Sequence, residues 1–438
     1  MFVLFYHLVK YSLPFMLLLL GSLFYPRPLL ADELCGGPFL PVSQPLTELG
    51  AAEYVRLVDT VTGTSGGPTG FSGGLYPNGQ NERPAGHEAA GVALAQQIVP
   101  RDGAGQPAAD GQIVFVSIGM SNTSSEFGTL QSLIHRDTAV NPRLLLVNGA
   151  QGGRVADRWA DPNGDPWPEL ELRLQRAGVT PAQVQVAWIK LTLVRGGDFP
   201  DKAQALQGYL QEIVHILHER YPNLHLVYLS SRTRSFTYWR GLSPEPLAFE
   251  TGFSVKWLIE QQLAGDPALN FDPEQGAVTA PYLSWGPYLW IDGENVRADG
   301  RIWTQADMTQ DCTHPSASGN QQVAEMLYEF FTTDNTAVSW FLAENEAATL
   351  PATPVAPTMT AETAVATATT VSMATETSGA TDQPPTPLAA TTTTPAAPTA
   401  PAATDTDSSI NLLLIIIIGA GLATATLWLL RRQRLTIK

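Results

Sequence analysis

Three short segments carry residue types that could do chemistry. The first is Gly119-Met120-Ser121-Asn122, where the apolar run "VFVSIG" stops at a glycine and puts a serine at its exit. The second is the glycine-rich "NGAQGG" of Asn148 to Gly153. The third is "DCTHPSASG", with Asp311 and His314 three residues apart ahead of a helical pattern. A serine hydroxyl becomes a nucleophile beside a base, and a neutral imidazole is the usual one. That base needs a carboxylate to fix its tautomer and stabilise its charged form. Backbone N–H groups at Gly152 and Gly153 could face the oxyanion of an acyl transfer. Each segment also has a plainer reading. Ser121 could cap the helix that follows it, with Ser124 or Ser125 as competitors. Asp311 and His314 could be a surface turn or a cap for the last helix. The glycines could be an ordinary strand-to-helix turn. It is the order of the three, at strand ends and before a helix, that favours catalysis.

The elements around them alternate. "IVFVSIGM", "RLLLVNGA", "VQVAWIKLTL" and "LHLVYLSSR" read as buried strands. "SSEFGTLQSLIHRD", "WPELELRLQRAG", "DKAQALQGYLQEIVHILHERY", "SVKWLIEQQLAG" and "GNQQVAEMLYEFF" read as helices. Continuous apolar strands separated by helices imply a parallel sheet covered on both faces. The fold class is therefore α/β, a three-layer α/β/α sandwich with a parallel, flavodoxin-like sheet. In such sheets ligands bind beyond the carboxyl ends of the strands. Ser121, the segment Asn148 to Gly153, and Lys190 to Thr192 all fall there.

With this order of motifs the chain resembles the SGNH/GDSL hydrolase superfamily. The resemblance covers most of the folded part. Gly119-Met120-Ser121-Asn122 stands where that family has Gly-Asp-Ser-Leu, "NGAQGG" where it has its oxyanion glycine, and Asp311, His314 and Pro315 where it has its last block. The resemblance implies that Ser121 attacks an ester carbonyl, His314 is the base and Asp311 orients it. It also implies an oxyanion held by the N–H groups of Ser121 and of Gly152 or Gly153. Two departures stand out. Met120 replaces an aspartate outside the triad. The third block lacks the family's asparagine and reads Trp188-Ile189-Lys190, similar to the Trp-x-Gln-Gly-Glu version of carbohydrate acetylesterases, with Lys190 in the donor's place. "GGRVADRW", with Trp159 after the glycine pair, is also similar to those branches. The implied function is a serine esterase of the carbohydrate O-acetylesterase type that needs no metal or cofactor. Two alternatives stay open: a non-catalytic module binding a glycan or partner on the same fold, and a polysaccharide O-acyltransferase.

Other features have bland readings. Gly63-Thr64-Ser65-Gly66-Gly67 matches Gly-x-Ser-x-Gly, but a nucleophile elbow needs a strand before it and a helix after it, and more glycine and proline follow. His215 and His218 do not have the spacing of a zinc-protease helix. His87 reads as structural. Asn122-Thr123-Ser124 is a formal glycosylation sequon at the proposed site and is set aside. Tyr282, Trp285, Tyr288 and Trp290 could floor a sugar cleft or pack in the core.

The ends and the composition bound the setting. Residues 1–31 resemble a secretory signal, with Lys10, a short apolar core and a small residue at Ala31. Residues 32–342 form the folded domain. Residues 343–409 are rich in Ala, Thr and Pro and read as a disordered stalk. Residues 410–430 are uncharged and long enough to cross a bilayer. The tail 431–438 carries Arg431, Arg432, Arg434 and Lys438, which marks the cytoplasmic side. The expected place is the cell surface, with the domain outside and one C-terminal helix in the membrane. The formal net charge of −16 argues against nucleic acid as a partner. The expected partner is an ester substrate, an acetylated glycan being one form it could take. Two cysteines, Cys35 and Cys312, are the whole thiol complement. In an exported domain they suggest one disulfide.

Overall fold

A computed structural model describes residues 41–56, 66–238 and 241–343. The signal segment, nearly all of the stalk, the membrane span and the basic tail lie outside the described residues, as does Cys35. Among the described residues no helix is long and apolar enough to cross a membrane. After a single helical turn at Leu46–Leu49 comes a short antiparallel pair, β1 (Glu53–Val55) and β2 (Pro68–Ser72), then helix α1 (Ala85–Ala95). After that the long elements alternate. They are β3 (Ile113–Gly119), α2 (Ser121–Ile134), β4 (Leu144–Asn148), α3 (Pro166–Arg176) and β5 (Val184–Lys190), then α4 (Asp201–Arg220), β6 (Leu226–Leu229), α5 (Leu247–Leu263), β7 (Tyr282–Trp285) and α6 (Ala317–Thr333). Strands β3 to β7 form one sheet in the order β4-β3-β5-β6-β7, parallel at every pairing. That is the doubly wound order in which the chain starts inside, steps once to one edge, and then crosses to the other.

Strand periodicity explains the layers. Successive side chains on a strand point to opposite faces. Val114, Val116 and Ile118 of β3 and Ala187 and Ile189 of β5 join Leu170, Leu206, Leu210, Phe249 and Phe253 in one core. Phe115, Val186, Trp188 and Tyr228 join Phe127, Leu130, Val323, Leu327 and Phe331 in the other. So α3, α4 and α5 cover one face, and α2 and α6 the other. Every position of β3 and β5 is buried, which is why these strands read as nearly continuous apolar runs, broken only by Ser117, Gln185 and the terminal Lys190.

Three features differ from the sequence reading. Helix α2 starts at Ser121, not at Ser124. Helix α5 starts at Leu247, because its first turns bury the polar Glu250 and Thr251, which hide the apolar period. The stretch Tyr282 to Trp290 supplies an edge strand and core rather than a cleft floor. Trp285 Nε1 donates to Leu75 O at 2.7 Å, Trp290 Nε1 donates to Glu245 at 2.9 Å, and Tyr288 Oη accepts from Leu46 N at 3.0 Å. Buried rings whose polar atoms are satisfied inside the protein are packing residues.

His87 is structural, as its sequence setting suggests. It is buried, stacks on Tyr282 at 4.1 Å, and lies 2.8 Å from Leu283 O through Nε2. Burial, more than the nearby Arg83 charge, lowers it to about 4. The folded chain thus binds fewer protons there than the unfolded chain between about pH 6.5 and 4. Stability is present above the unfolded value and is lost as the pH falls through that window, by about 3 kcal/mol. Melting curves from pH 7 to 4 should show this loss. A His87→Gln variant should show a shallower one, and an unchanged slope would refute the assignment.

Candidate active site

Gly119 ends β3 because helix α2 turns back hard on the strand. A Cβ there would lie 2.3 Å from Thr123 Oγ1. That hydroxyl donates to Lys190 O at 2.8 Å, so the first turn of α2 is pinned to the end of β5. Ser121 is then the first helical residue. The N-cap is Met120, which makes no side-chain cap, and the first ladder bond runs from Ser124 N to Met120 O. The N–H groups of the first turn are therefore orphans at the positive end of the helix dipole.

The neighbouring loop is drawn to the same place. Gln151 N donates to Gly119 O at 2.9 Å, and Trp159 Nε1 to the same oxygen at 3.3 Å. A Cβ on Gly152 would stand 4.0 Å from Ser121 Cβ. Gly153 has φ 73°, the left-handed region that favours glycine. Among the described residues neither glycine N–H has a hydrogen-bond acceptor.

The segment before α6 completes the site. Ser121 Oγ lies 2.8 Å from His314 Nε2, and His314 Nδ1 lies 2.5 Å from Asp311 Oδ2. An ionised carboxylate only accepts, so Nδ1 carries the proton and Nε2 of the neutral ring accepts from the serine. The two carboxylate oxygens divide the work. Oδ2 holds the imidazole. Oδ1 accepts from His314 N and Thr313 N at 2.9 Å each and from Thr309 Oγ1 at 2.8 Å. Burial alone would raise Asp311, but these bonds from His314, Thr313 and Thr309 outweigh it and hold the carboxyl well below its usual range. Closing so tight a loop puts Cys312 at φ 59°, an uncommon conformation for a residue with a Cβ. The cap of α6 is Ser316, whose Oγ accepts from Gly319 N, which leaves Asp311 and His314 free of capping. Both are about half exposed, at 51% and 45% of their side chains.

The structure thus gathers Ser121, Gly152, Gly153, Asp311 and His314. It does not turn the Lys190 ammonium toward that group. Lys190 is fully buried and donates to both oxygens of Glu126, at 2.5 and 2.7 Å. Burial lowers Lys190 to about 8, against the pull of Glu126 and with the push of Arg232. The expectation of Lys190 as a direct oxyanion donor is corrected accordingly: a charge held by both oxygens of a buried carboxylate has no reason to leave it. Asn148 is also committed, since its Nδ2 donates to Ser124 O at 2.7 Å.

Two residues of the site carry no motif. Asn122 is buried and donates through Nδ2 to Thr313 O at 2.9 Å, tying the nucleophile's helix to the Asp311–His314 loop. Glu126, one turn further on, holds Lys190. Asn122, Thr123, Glu126, Phe127 and Leu130 form one buried stripe. Polar residues at helical spacing on an otherwise apolar face were the signal that could have found them. The literal Gly-x-Ser-x-Gly is only partly described, and Gly67 O accepts from Arg56 N ahead of β2 with no helix following.

No family model matches the sequence, and no curated protein matches it. Solved structures with a similar chain course include a candidate SGNH hydrolase from Slackia heliotrinireducens, at 14% identity and TM-score 0.26, covering 50% of this chain and 98% of that one. A protein from Arabidopsis thaliana is similar at 9% identity and TM-score 0.26, over 48% of this chain and 67% of its own. A salicylyl-acyltransferase from a tetracycline biosynthetic pathway is similar at 16% identity and TM-score 0.25, over 51% of this chain and 55% of its own.

Proposed function

We propose that this chain is a serine ester hydrolase of the SGNH type, acting through an acyl-enzyme. The observation that carries the reading is the line from Ser121 Oγ to His314 Nε2 to Asp311, at 2.8 and 2.5 Å. Ser121 Oγ attacks the ester carbonyl carbon while its proton passes to His314 Nε2. The carbonyl oxygen becomes an oxyanion, facing the N–H groups of Ser121 and of Gly152 or Gly153. Collapse of this intermediate expels the alcohol, which takes the proton from His314. Water then attacks the acyl group with His314 again as base, and the acid leaves with Ser121 restored. No metal or cofactor enters these steps. The half-exposed His314 and Asp311 favour an ester on a large molecule, and we take an O-acetylated glycan as the substrate class. The sequence at the two ends supports a domain displayed outside the cell on a stalk and a C-terminal anchor. The pairing of Cys35 with Cys312 belongs to the same proposal and would brace the Asp311–His314 loop.

One experiment tests both parts. The full chain is treated with a fluorophosphonate probe, beside Ser121→Ala, before and after thiol reduction. A covalent adduct on the parent alone is expected, with slower labelling of the still folded, reduced protein. No adduct on the folded parent would move the reading to a binding module. Two thiols open to alkylation without reductant would sink the pairing.

A further inference from the structure

The oxyanion site lacks the family's amide, and Lys190 is held by Glu126. What remains near the end of the sheet is a second buried cation. Arg232 is 3% exposed, and among the described residues its Nε and Nη1 are buried without a hydrogen-bond acceptor. The carboxylates that act on it are Glu126 and Glu245. Both are already engaged. Glu126 accepts from Lys190 through both oxygens. Glu245 accepts from Ser235 N, Trp290 Nε1 and Phe249 N. A guanidinium with two buried nitrogens lacking acceptors is costly, and native proteins keep few such groups without a use.

Sheet register places it. Gly119 pairs with Lys190, and Ser230 N donates to Ile189 O. Ser121 is two residues beyond Gly119, and Arg232 is two beyond Ser230. Both stand just past the carboxyl edge, on strands separated only by β5. Arg232 N donates to Thr251 Oγ1 of α5 at 3.3 Å, while Glu126 of α2 acts on its side chain, and the nearby Ser230 lies on the α2 face. Trp188 Nε1 donates to Ser230 Oγ, and the Trp188 ring stacks on Phe127 of α2. The segment carrying Arg232 also runs along the Asp311–His314 loop, for Phe236 N donates to Cys312 O.

We propose that Arg232 supplies the positive charge that the oxyanion site otherwise lacks, favouring the tetrahedral intermediate at Ser121 through its field. This rests on the esterase reading above. Glu245, lodged on Ser235 N, Phe249 N and Trp290 Nε1, offsets part of the Arg232 charge, and with Lys190 and Glu126 neutralising each other the remainder reaches the site across a poorly screening interior. A fixed charge aimed at where negative charge develops favours the transition state over the bound ester. Arg232 is a positioning residue, and its mark is an effect on kcat rather than on KM.

The test compares the full wild-type chain with Arg232→Met, Arg232→Gln and Arg232→Lys, using neutral 4-nitrophenyl acetate and the anionic mono-4-nitrophenyl ester of succinic acid. A folded Met or Gln variant should lose about 30-fold or more in kcat on both esters, with KM within about threefold, and Lys should restore most of the loss. Unchanged kcat in a folded neutral variant would overturn the proposal. So would a rise in KM confined to the succinate ester, which would make Arg232 a substrate-anion anchor. The wild-type pH profile decides should the neutral variants not fold. Lys190 is faced by Glu126 of α2 and by Arg232. When it loses its proton, Glu126 is released to compensate Arg232, so kcat should fall above about pH 8. A profile flat over the whole alkaline range in which the chain stays folded would overturn the proposal. A wild-type chain that neither labels nor turns over sinks the esterase reading itself. Turnover indifferent to Arg232 sinks only this inference.

Discussion

Replacing Ser121 with alanine should lower kcat on 4-nitrophenyl acetate by roughly 10⁶ while leaving the fold intact. The structure separates this result from a loss of stability. Ser121 is not the cap of α2, which is Met120, and the Ser121 hydroxyl meets His314 rather than the helix backbone. Alanine keeps the N–H group that faces the oxyanion and removes only Oγ. The variant should therefore melt within about 1 kcal/mol of the parent, as a change at a partly buried side chain with no backbone bond to lose. A small residual rate should survive from the backbone donors and substrate binding, as in other enzymes stripped of one triad member. Activity within tenfold of wild type would make Ser121 a bystander and the site something else. Kinetics on the full chain beside thermal melts settle the matter in one preparation.

Asp311→Asn should cost roughly 10⁴ in kcat and about 1 kcal/mol of stability, because a neutral carbonyl accepts the loop's bonds more weakly than a carboxylate. The two oxygens explain why. The loop is folded around Oδ1, which accepts from Thr309 Oγ1, Thr313 N and His314 N. An asparagine carbonyl can accept all three bonds in the same place. The imidazole is held by Oδ2, 2.5 Å from Nδ1. An NH₂ group there would donate instead of accept, and His314 would have to present a protonated Nε2 to Ser121. The base would then be in the wrong tautomer, with no carboxylate to stabilise its charged form. A variant that melts far below the parent would show that Oδ2 also supports the loop. A variant with near-normal kcat would show that Asp311 does not orient the base.

The sheet was legible because its central strands are buried on both sides. Nothing polar interrupts "IVFV" and only Gln185 interrupts "VQVAWI", and the helices between them repeat at helical spacing, so element order and layer count follow from local pattern. The element starts were less legible. Leu247 to Thr251 is helical although its polar residues face inward, since Glu250 accepts from Tyr54 Oη at 3.1 Å and pairs with Arg56 at 2.9 Å. Partners nearly two hundred residues away in sequence decide that, and no window of local sequence contains them. The aromatic run before the Asp311 loop was equally ambiguous. A tryptophan suits a sugar platform or a core, and only the acceptors of its N–H tell which.

The candidate site divides along the same line. The sequence by itself determined the chemical parts: a serine after a strand, glycines after the next strand, and an aspartate and a histidine three apart before the last long helix. It could do so because chain order and strand ends are local properties in a doubly wound sheet. Only the tertiary structure decided how the charged groups pair. Lys190 ends β5 at a place that suits an oxyanion donor, yet its side chain faces α2, where Glu126 stands ready. Asn122 reads as a sequon in one dimension and as a tie to Thr313 in three. Arg232 carries no motif at all, and its significance lies in the acceptors that its neighbours have already taken. Spacing along a chain fixes which residues reach the edge of a sheet. Which acceptor each buried charge finds depends on packing between segments far apart in sequence.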